Sequence, residues 1–411
     1  MSLPPSDANH LSGPQRLWLF RDIFLSHGLQ LGCCISDTRA AALRFGESST
    51  SAVVTSSAAV PPVLIHIAQL WGSLLWQETN HKFGLAEEDD QLAKVQVLLD
   101  IAPNDVCDPV TTVLAHCLVS MYHFSKVNIV DGREHLARAA LVVSENHLRL
   151  CLDSSSIFSS NSLYSSQEIN AILLQLLYQD TAGTMLLNLP ALVGVDLYAQ
   201  FQNLPVPPRD SSKLDLIVFR TKSVFHLNEA NHLANVWHGT TGAEGQASFP
   251  VQSYEWYFDL VQRISNHIAI LTPILLQHVV IGGDPEPLRA TKLCLAMEHA
   301  AAAELYELLA ATEPLYCGKS LTSALEVVQI TSTFDDSDFH FLDPILGVCW
   351  TTATTVLRRI QGMIKLGSAV PLQLDEWTIR RGLSTMISAS VKLERAMPFV
   401  VRPPELSTAQ T

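Results

Sequence analysis

Fifteen histidines and eight cysteines give this chain of 411 residues the side chains of a zinc site, but not the spacing of one. No two histidines stand three or four residues apart, so no helix presents the paired imidazoles of an H-E-x-x-H site. His147 and Cys151, at i and i+4, could share a helical face, yet no third or fourth ligand follows nearby, and they read as a helix-end histidine beside a buried thiol. A phosphate-binding loop is approached by Gly318-Lys319-Ser320. Glu313, however, takes the first glycine position of the G-x-x-x-x-G-K-[ST] pattern and brings a negative charge where bare backbone should face phosphate. Gly318 therefore reads as a turn and Ser320 as a helix cap. G-x-S-x-G is absent. The cluster Asp335-Asp336-Ser337-Asp338 could hold the Mg²⁺ of a diphosphate, as in all-helical terpenoid synthases, but no asparagine occurs after it to build the usual second metal motif. As a calcium loop it fails as well, because Gly347 stands where a bidentate Glu belongs. It reads as a solvated acidic loop ahead of a helix start at Asp343-Pro344. No catalytic, cofactor-binding or metal-ligating residue is assigned, no cofactor is expected within the chain, and a non-enzyme is expected.

The scaffold behind those residues is apolar. Hydrophobic residues make up 48% and charged residues 16%, which excludes a disordered chain and implies a large core. With 26 basic against 40 acidic residues the net charge is −14, so the surface as a whole repels a phosphate backbone. Basic doublets occur only at Arg358-Arg359 and Arg380-Arg381. The cysteines lack the dense spacing of a disulfide framework and suit a reducing compartment. Met1 to Pro14 has neither a basic start nor an apolar stretch, so no secretory signal is expected. Uncharged runs at Pro109–Ser125 and Ser265–Gly283 approach membrane-spanning length. They contain His116, His123, His267, Pro273, Gln277 and His278, and are expected to be buried helices rather than spans.

Helical periodicity dominates and predicts an all-α fold. Pro14–Leu31 reads as one amphipathic helix. Ser48–Val60 is a loop, and Pro61-Pro62 opens a helix running through Trp76. Glu87 to Asp90 suits the first turn of a third helix ending near Ile101. Asp108 caps a helix with Pro109 in its first turn, and Asp131 caps the next, through about Leu150. After a serine-rich loop at Ser154–Ser166, Ser165-x-x-Glu168 forms a capping box. The proline-rich loop Leu189–Asp210 predicts a subdomain seam at residues 189–211. Further helices fall near Ser212–His238, Ser253–His278, Pro285–Ala311, Ser320–Thr331, Pro344–Leu366 and Asp375–Ala396. Leu288, Leu295, Ala302 and Leu309 mark a seam on the third of these. Gly239–Ser248 is a loop, and no fixed-period repeat is present.

Four segments carry a resemblance. The first is Leu19 to His27, followed by Pro62 to Gly72 with its Leu70-Trp71-Gly72 turn. The second is Gly132 to Ala140 and on to Leu148, with small residues at Ala137, Ala139 and Ala140. The third is Glu168 to Pro205, with Gln175 to Asp180, Asn188-Leu189-Pro190, Val195-Asp196 and Leu204-Pro205; the fourth is Leu342 to Trp350. Together they resemble the fungal-specific transcription factor domain, the helical regulatory region that follows a six-cysteine binuclear zinc cluster in many fungal regulators. Asn170-Ala171 replaces the family's arginine pair, Thr181 the arginine after the aspartate, and Asn188 a glycine. An Asp-Arg pair would balance charge, so Asp180 here needs another partner or exposure.

The resemblance implies a multi-helix regulatory domain over residues 14–397, with a flexible start at 1–13 and a flexible tail at 398–411. It implies a nuclear protein that controls transcription by RNA polymerase II. Partners would be transcriptional co-regulators or a small-molecule effector, with homodimerisation expected from the family and no membrane. C-x₂-C-x₆-C does not occur in the chain, so zinc and DNA contact are expected only from a module outside it. An effector pocket would draw on the helices around Trp71, Trp76, Trp350 and Trp377. The alternatives are a stand-alone helical interaction module and, third, a terpenoid synthase-like enzyme.

Overall fold

A computed structural model describes residues 12–45, 60–80, 85–101, 108–151, 164–207, 213–241, 251–282, 285–310, 313–340, 342–367 and 376–396. The loops expected at Ser48–Val60, Ser154–Ser166 and Gly239–Ser248 lie wholly or largely outside these residues, as do most of the expected N-terminal segment and the C-terminal tail. Of the described residues 86% are helical and none is in a strand, so the protein is all-α. The helices are α1 (Gly13–Ser26), α2 (Gly28–Leu31), α3 (Asp37–Phe45), α4 (Pro62–Asn80), α5 (Ala86–Ile101), α6 (Pro109–Ser125), α7 (Ile129–Glu145), α8 (Ser166–Leu187), α9 (Val195–Gln202), α10 (Lys213–Thr241), α11 (Val251–Ile281), α12 (Pro285–Ala310), α13 (Pro314–Ser332), α14 (Leu346–Lys365) and α15 (Glu376–Ala396). A 3-10 turn, Asp336–His340, sits between α13 and α14.

The chain divides into two compact units. The first holds Met1–Asp180 and Ala191–Val218, the second Thr181–Pro190 and Phe219–Thr411, so the divisions fall within α8, just after Pro190 and within α10.

In the first unit α4 packs against α1, α5 and α6, and α6 pairs with α7. The α1–α4 crossing depends on Gly72: a Cβ there would lie 1.8 Å from the Phe20 carbonyl oxygen, so only a glycine lets the two backbones approach. Trp71 beside it donates its indole N–H to the Leu118 carbonyl of α6 at 3.1 Å and meets the Tyr122 ring edge-on. Gly132 plays the same part for α6 and α7. Its missing Cβ would sit 2.7 Å from the Phe124 ring, and its carbonyl accepts from Ser120 Oγ at 2.7 Å. The middle of α8 is buried all round, through Ile172, Leu173, Leu174, Leu176 and Leu177.

Several local expectations hold. Asp108 accepts from Thr111 N–H at 3.2 Å as the cap of α6, and Ser165 and Glu168 exchange capping hydrogen bonds at the head of α8. Others change. The single helix expected over Pro14–Leu31 breaks at His27, whose non-helical backbone (φ −124°, ψ 14°) separates α1 from α2. Asp131 does not cap α7; Asn128 does, accepting from Asp131 N–H, and the helix ends at Glu145. Helices α3 and α9 arise where no helix was expected.

In the second unit α12 packs on α11, α13 and α14, with α15 against α13 and α14. Helix α11 buries Tyr257, Leu260, Ile264, His267, Leu271 and Ile274, a three-then-four spacing of a coiled-coil seam. The buried face of α12 is wider than one heptad stripe and includes Ala290, Cys294, Met297, Glu298, Ala301, Leu305 and Leu308. The uncharged run at Ser265–Gly283 is not the buried helix expected. Tyr254–Ile281 has the length and apolarity of a membrane span, but 22% of its most apolar window is buried, and Leu276, Val279, Val280 and Ile281 are exposed.

Candidate functional site

Asp180, at the division between the units, is wholly buried and closes the first unit around itself. Its carboxylate accepts from the backbone N–H groups of Leu192 and Val193, each at 3.0 Å, and from the Tyr198 hydroxyl at 3.0 Å. Arg133 of α7 supplies the countercharge at 3.5 Å. The partner that Thr181 does not provide thus comes from another helix. Because hydrogen bonds and one guanidinium satisfy the charge, Asp180 is a clamp: it holds the segment after Pro190, α9 and α7 to its own position on α8.

The clamp borders a groove of about 770 Å³ between α7 and α9. Ala137, Ala140, Leu141 and Leu197 give it an apolar floor, and the polar side chains of His147, Arg149, Asp196 and Gln200 line it too. Ala137 and Ala140 leave the space open, since larger side chains there would fill it.

A second buried ion pair, Arg39 with Glu168 at 3.2 Å, ties α3 to α8, and the Ser36 N–H donates to the same carboxylate. Burial opposes ionisation of Glu168, but hydrogen bonds from Ser165 and Ser36 and the Arg39 charge outweigh it and lower its pKa. Between α6 and α7, His116 Nδ1 and His135 Nδ1 lie 2.9 Å apart, and His135 stacks on His123. Burial, reinforced by neighbouring positive charge, lowers His116 to about 3 and His135 to about 4. The pair is therefore neutral at pH 7, one ring donating to the other.

In the second unit His226 of α10, His267 of α11 and Glu298 of α12 converge in the core. Both imidazoles present Nδ1 to the carboxylate, His226 at 3.0 Å from each oxygen and His267 at 2.5 Å from Oε1. All three side chains are buried. Burial alone would raise the pKa of Glu298, but the two imidazoles lower it. Local spacing could not reveal this cluster, because its members are far apart in the chain.

The residues singled out by spacing behave differently. Gly318 and Ser320 lie inside α13, which begins at Pro314 behind Glu313, so they are neither turn nor cap. Ser320 Oγ instead lies against the Ala303 carbonyl and Glu307, while Lys319 sits over the Tyr306 and Tyr316 rings. In the acidic cluster Asp338 pairs with Arg289 at 2.9 Å and Asp336 with Lys392 at 2.5 Å, so basic side chains already hold these carboxylates. Asp343 pairs with Arg220. His147 is an exposed residue with positive φ just past α7, and among the described residues it joins no cluster of three metal-type ligands with Cys151. Trp71 and Trp76 pack in the first unit, Trp350 is buried in the second with its indole donating to Thr331 Oγ1, and Trp377 is 63% exposed.

Scanned against protein-family models, curated proteins and solved structures, the chain matches none at a significant level.

Proposed function

We propose that this chain is the regulatory, effector-sensing helical domain of a fungal transcription factor, acting in the nucleus on transcription by RNA polymerase II. DNA reading belongs to a zinc cluster outside the chain, and co-regulators or a small-molecule effector bias the domain. The all-α architecture agrees with this reading, and the resemblance of the four segments motivates it.

The observation that carries it is the Asp180 clamp. Two separate segments of the resemblance, 132–148 and 168–205, meet there through Arg133, Asp180, Leu192, Val193 and Tyr198. The same two segments line the groove between α7 and α9. A ligand in that groove presses on the elements the clamp holds, so binding and the packing of α7, α8 and α9 are coupled. No turnover is required for this, and the domain acts as a switch, not an enzyme.

The native transcript tests the reading. Coding sequence for C-x₂-C-x₆-C, in frame with this chain, is the expected result. A transcript whose coding sequence carries no such cluster favours the stand-alone interaction module instead.

A further inference from the structure

We propose that His226, His267 and Glu298 form a binding site for one divalent transition-metal ion of the zinc and cobalt(II) class in the core of the second unit. The site stands independently of the transcriptional reading. Three helices each contribute one donor, and the ligand atoms all lie within 4.8 Å of one another. Two imidazole nitrogens and one carboxylate oxygen are a borderline donor set that suits zinc and its neighbours, whereas calcium and magnesium prefer oxygen alone.

Charge and size both bear on the choice of ion. Glu298 is wholly buried, it ion-pairs with the two imidazoles, and its charge also reaches His299. With both rings neutral, a full negative charge stays in a site without solvent, which is costly. A divalent ion at the three inward-facing atoms supplies positive charge beside the carboxylate. Bonds of about 2.0–2.1 Å in a tetrahedron set ligand atoms about 3.3 Å apart. The carboxylate now stands 2.5 Å from His267 Nδ1 and 3.0 Å from His226 Nδ1, so each imidazole withdraws from it by less than about 1 Å on metal binding, while the two rings' ligand atoms lie within 4.8 Å of each other. The ion joins α10, α11 and α12 at one point and acts as a structural staple.

The test uses the full chain stripped with a chelator and titrated with cobalt(II), then zinc. One cobalt ion per chain is expected, with the visible absorption of tetrahedral cobalt(II), displacement by zinc, and a higher melting temperature in the loaded form. Glu298→Gln is expected to weaken binding on the order of 100-fold, while His232→Ala, at an exposed histidine of α10, leaves it unchanged. X-ray absorption of the zinc-loaded wild type reads the ligands without any variant and is expected to give two imidazoles in a shell of nitrogen and oxygen. A natively folded chain that takes up no stoichiometric cobalt overturns the proposal, as does a folded Glu298→Gln variant with wild-type affinity or a shell without histidine.

Discussion

Gly72→Ala adds one methyl group where α4 crosses α1, and the structure sets both the sign and the size of its effect. In an ordinary helix interior the change stabilises by about 1 kcal/mol, because alanine loses less backbone entropy and has the higher helix propensity. Here the new Cβ would lie 1.8 Å from the Phe20 carbonyl oxygen, 2.3 Å from its carbon and 2.6 Å from its Cα. These are backbone atoms, so no rotamer change relieves the overlap. Reaching ordinary contact requires α1 and α4 to separate by about 1.6 Å, which loosens the packing of Phe20 and Phe24, each 1% exposed. Overpacking of this kind costs about 1–3 kcal/mol or somewhat more, and the rigid contact puts it at the upper end. After subtracting the propensity gain, a net loss of about 2 kcal/mol is expected. Gly362→Ala in α14 is the internal control: nothing lies within 4 Å of its Cβ position, so it is expected to stabilise by about 0.5–1 kcal/mol. Urea unfolding followed by circular dichroism and tryptophan fluorescence measures both. If Gly72→Ala is as stable as the wild type or more so, the α1–α4 contact is not as close as described.

Asp180→Ala strands the N–H groups of Leu192 and Val193 and removes the countercharge facing Arg133, and is expected to cost about 3 kcal/mol by urea unfolding, with faster proteolysis between α8 and α9. Glu78 has its pKa pushed up to about 7, by burial first and by Glu88, against the opposing charge of Lys126. Its folded pKa exceeds the unfolded value, so stability falls as pH rises from about 4.5 to 7; Glu78→Gln is expected to remove that fall in melting temperatures between pH 5 and 8. His116 and His135 carry the opposite linkage, since their folded values of about 3 and 4 lie below the ordinary 6.5. Their contribution is present above pH 6.5 and is lost as pH falls towards 4, so a His135→Gln variant is expected to show a shallower acid loss of melting temperature than the wild type.

The all-α class was legible because three- and four-residue apolar spacing runs through most of the chain, and long helices with strong caps, such as those begun by Asp108 and Ser165, needed no tertiary information. Short elements were not. Helix α9 has eight residues between a glycine and a proline-rich stretch, and its Asp196 in the first turn was the available signal. Gly318 looked like a turn because glycine disfavours helices, but packing across α12 and α14 overrides a local preference of about 1 kcal/mol. The partner of Asp180 was legible only as a need: the buried charge required one, while the identity of Arg133 depended on how α7 lies against α8. The His226, His267 and Glu298 cluster joins three helices through long-range contacts. One clue existed in His267, which occupies a core position of the seven-residue pattern on α11, where an apolar side chain would be expected.

Regulation of transcription is tested most directly by fusing the chain to an unrelated DNA-binding module placed over a reporter gene in a fungal cell. The account predicts that the fusion changes reporter output relative to the module alone, and that Asp180→Ala, which releases the clamp on α7 and α9, alters that change at equal nuclear protein level. Output indistinguishable from the module alone, from a folded and nuclear fusion, contradicts it.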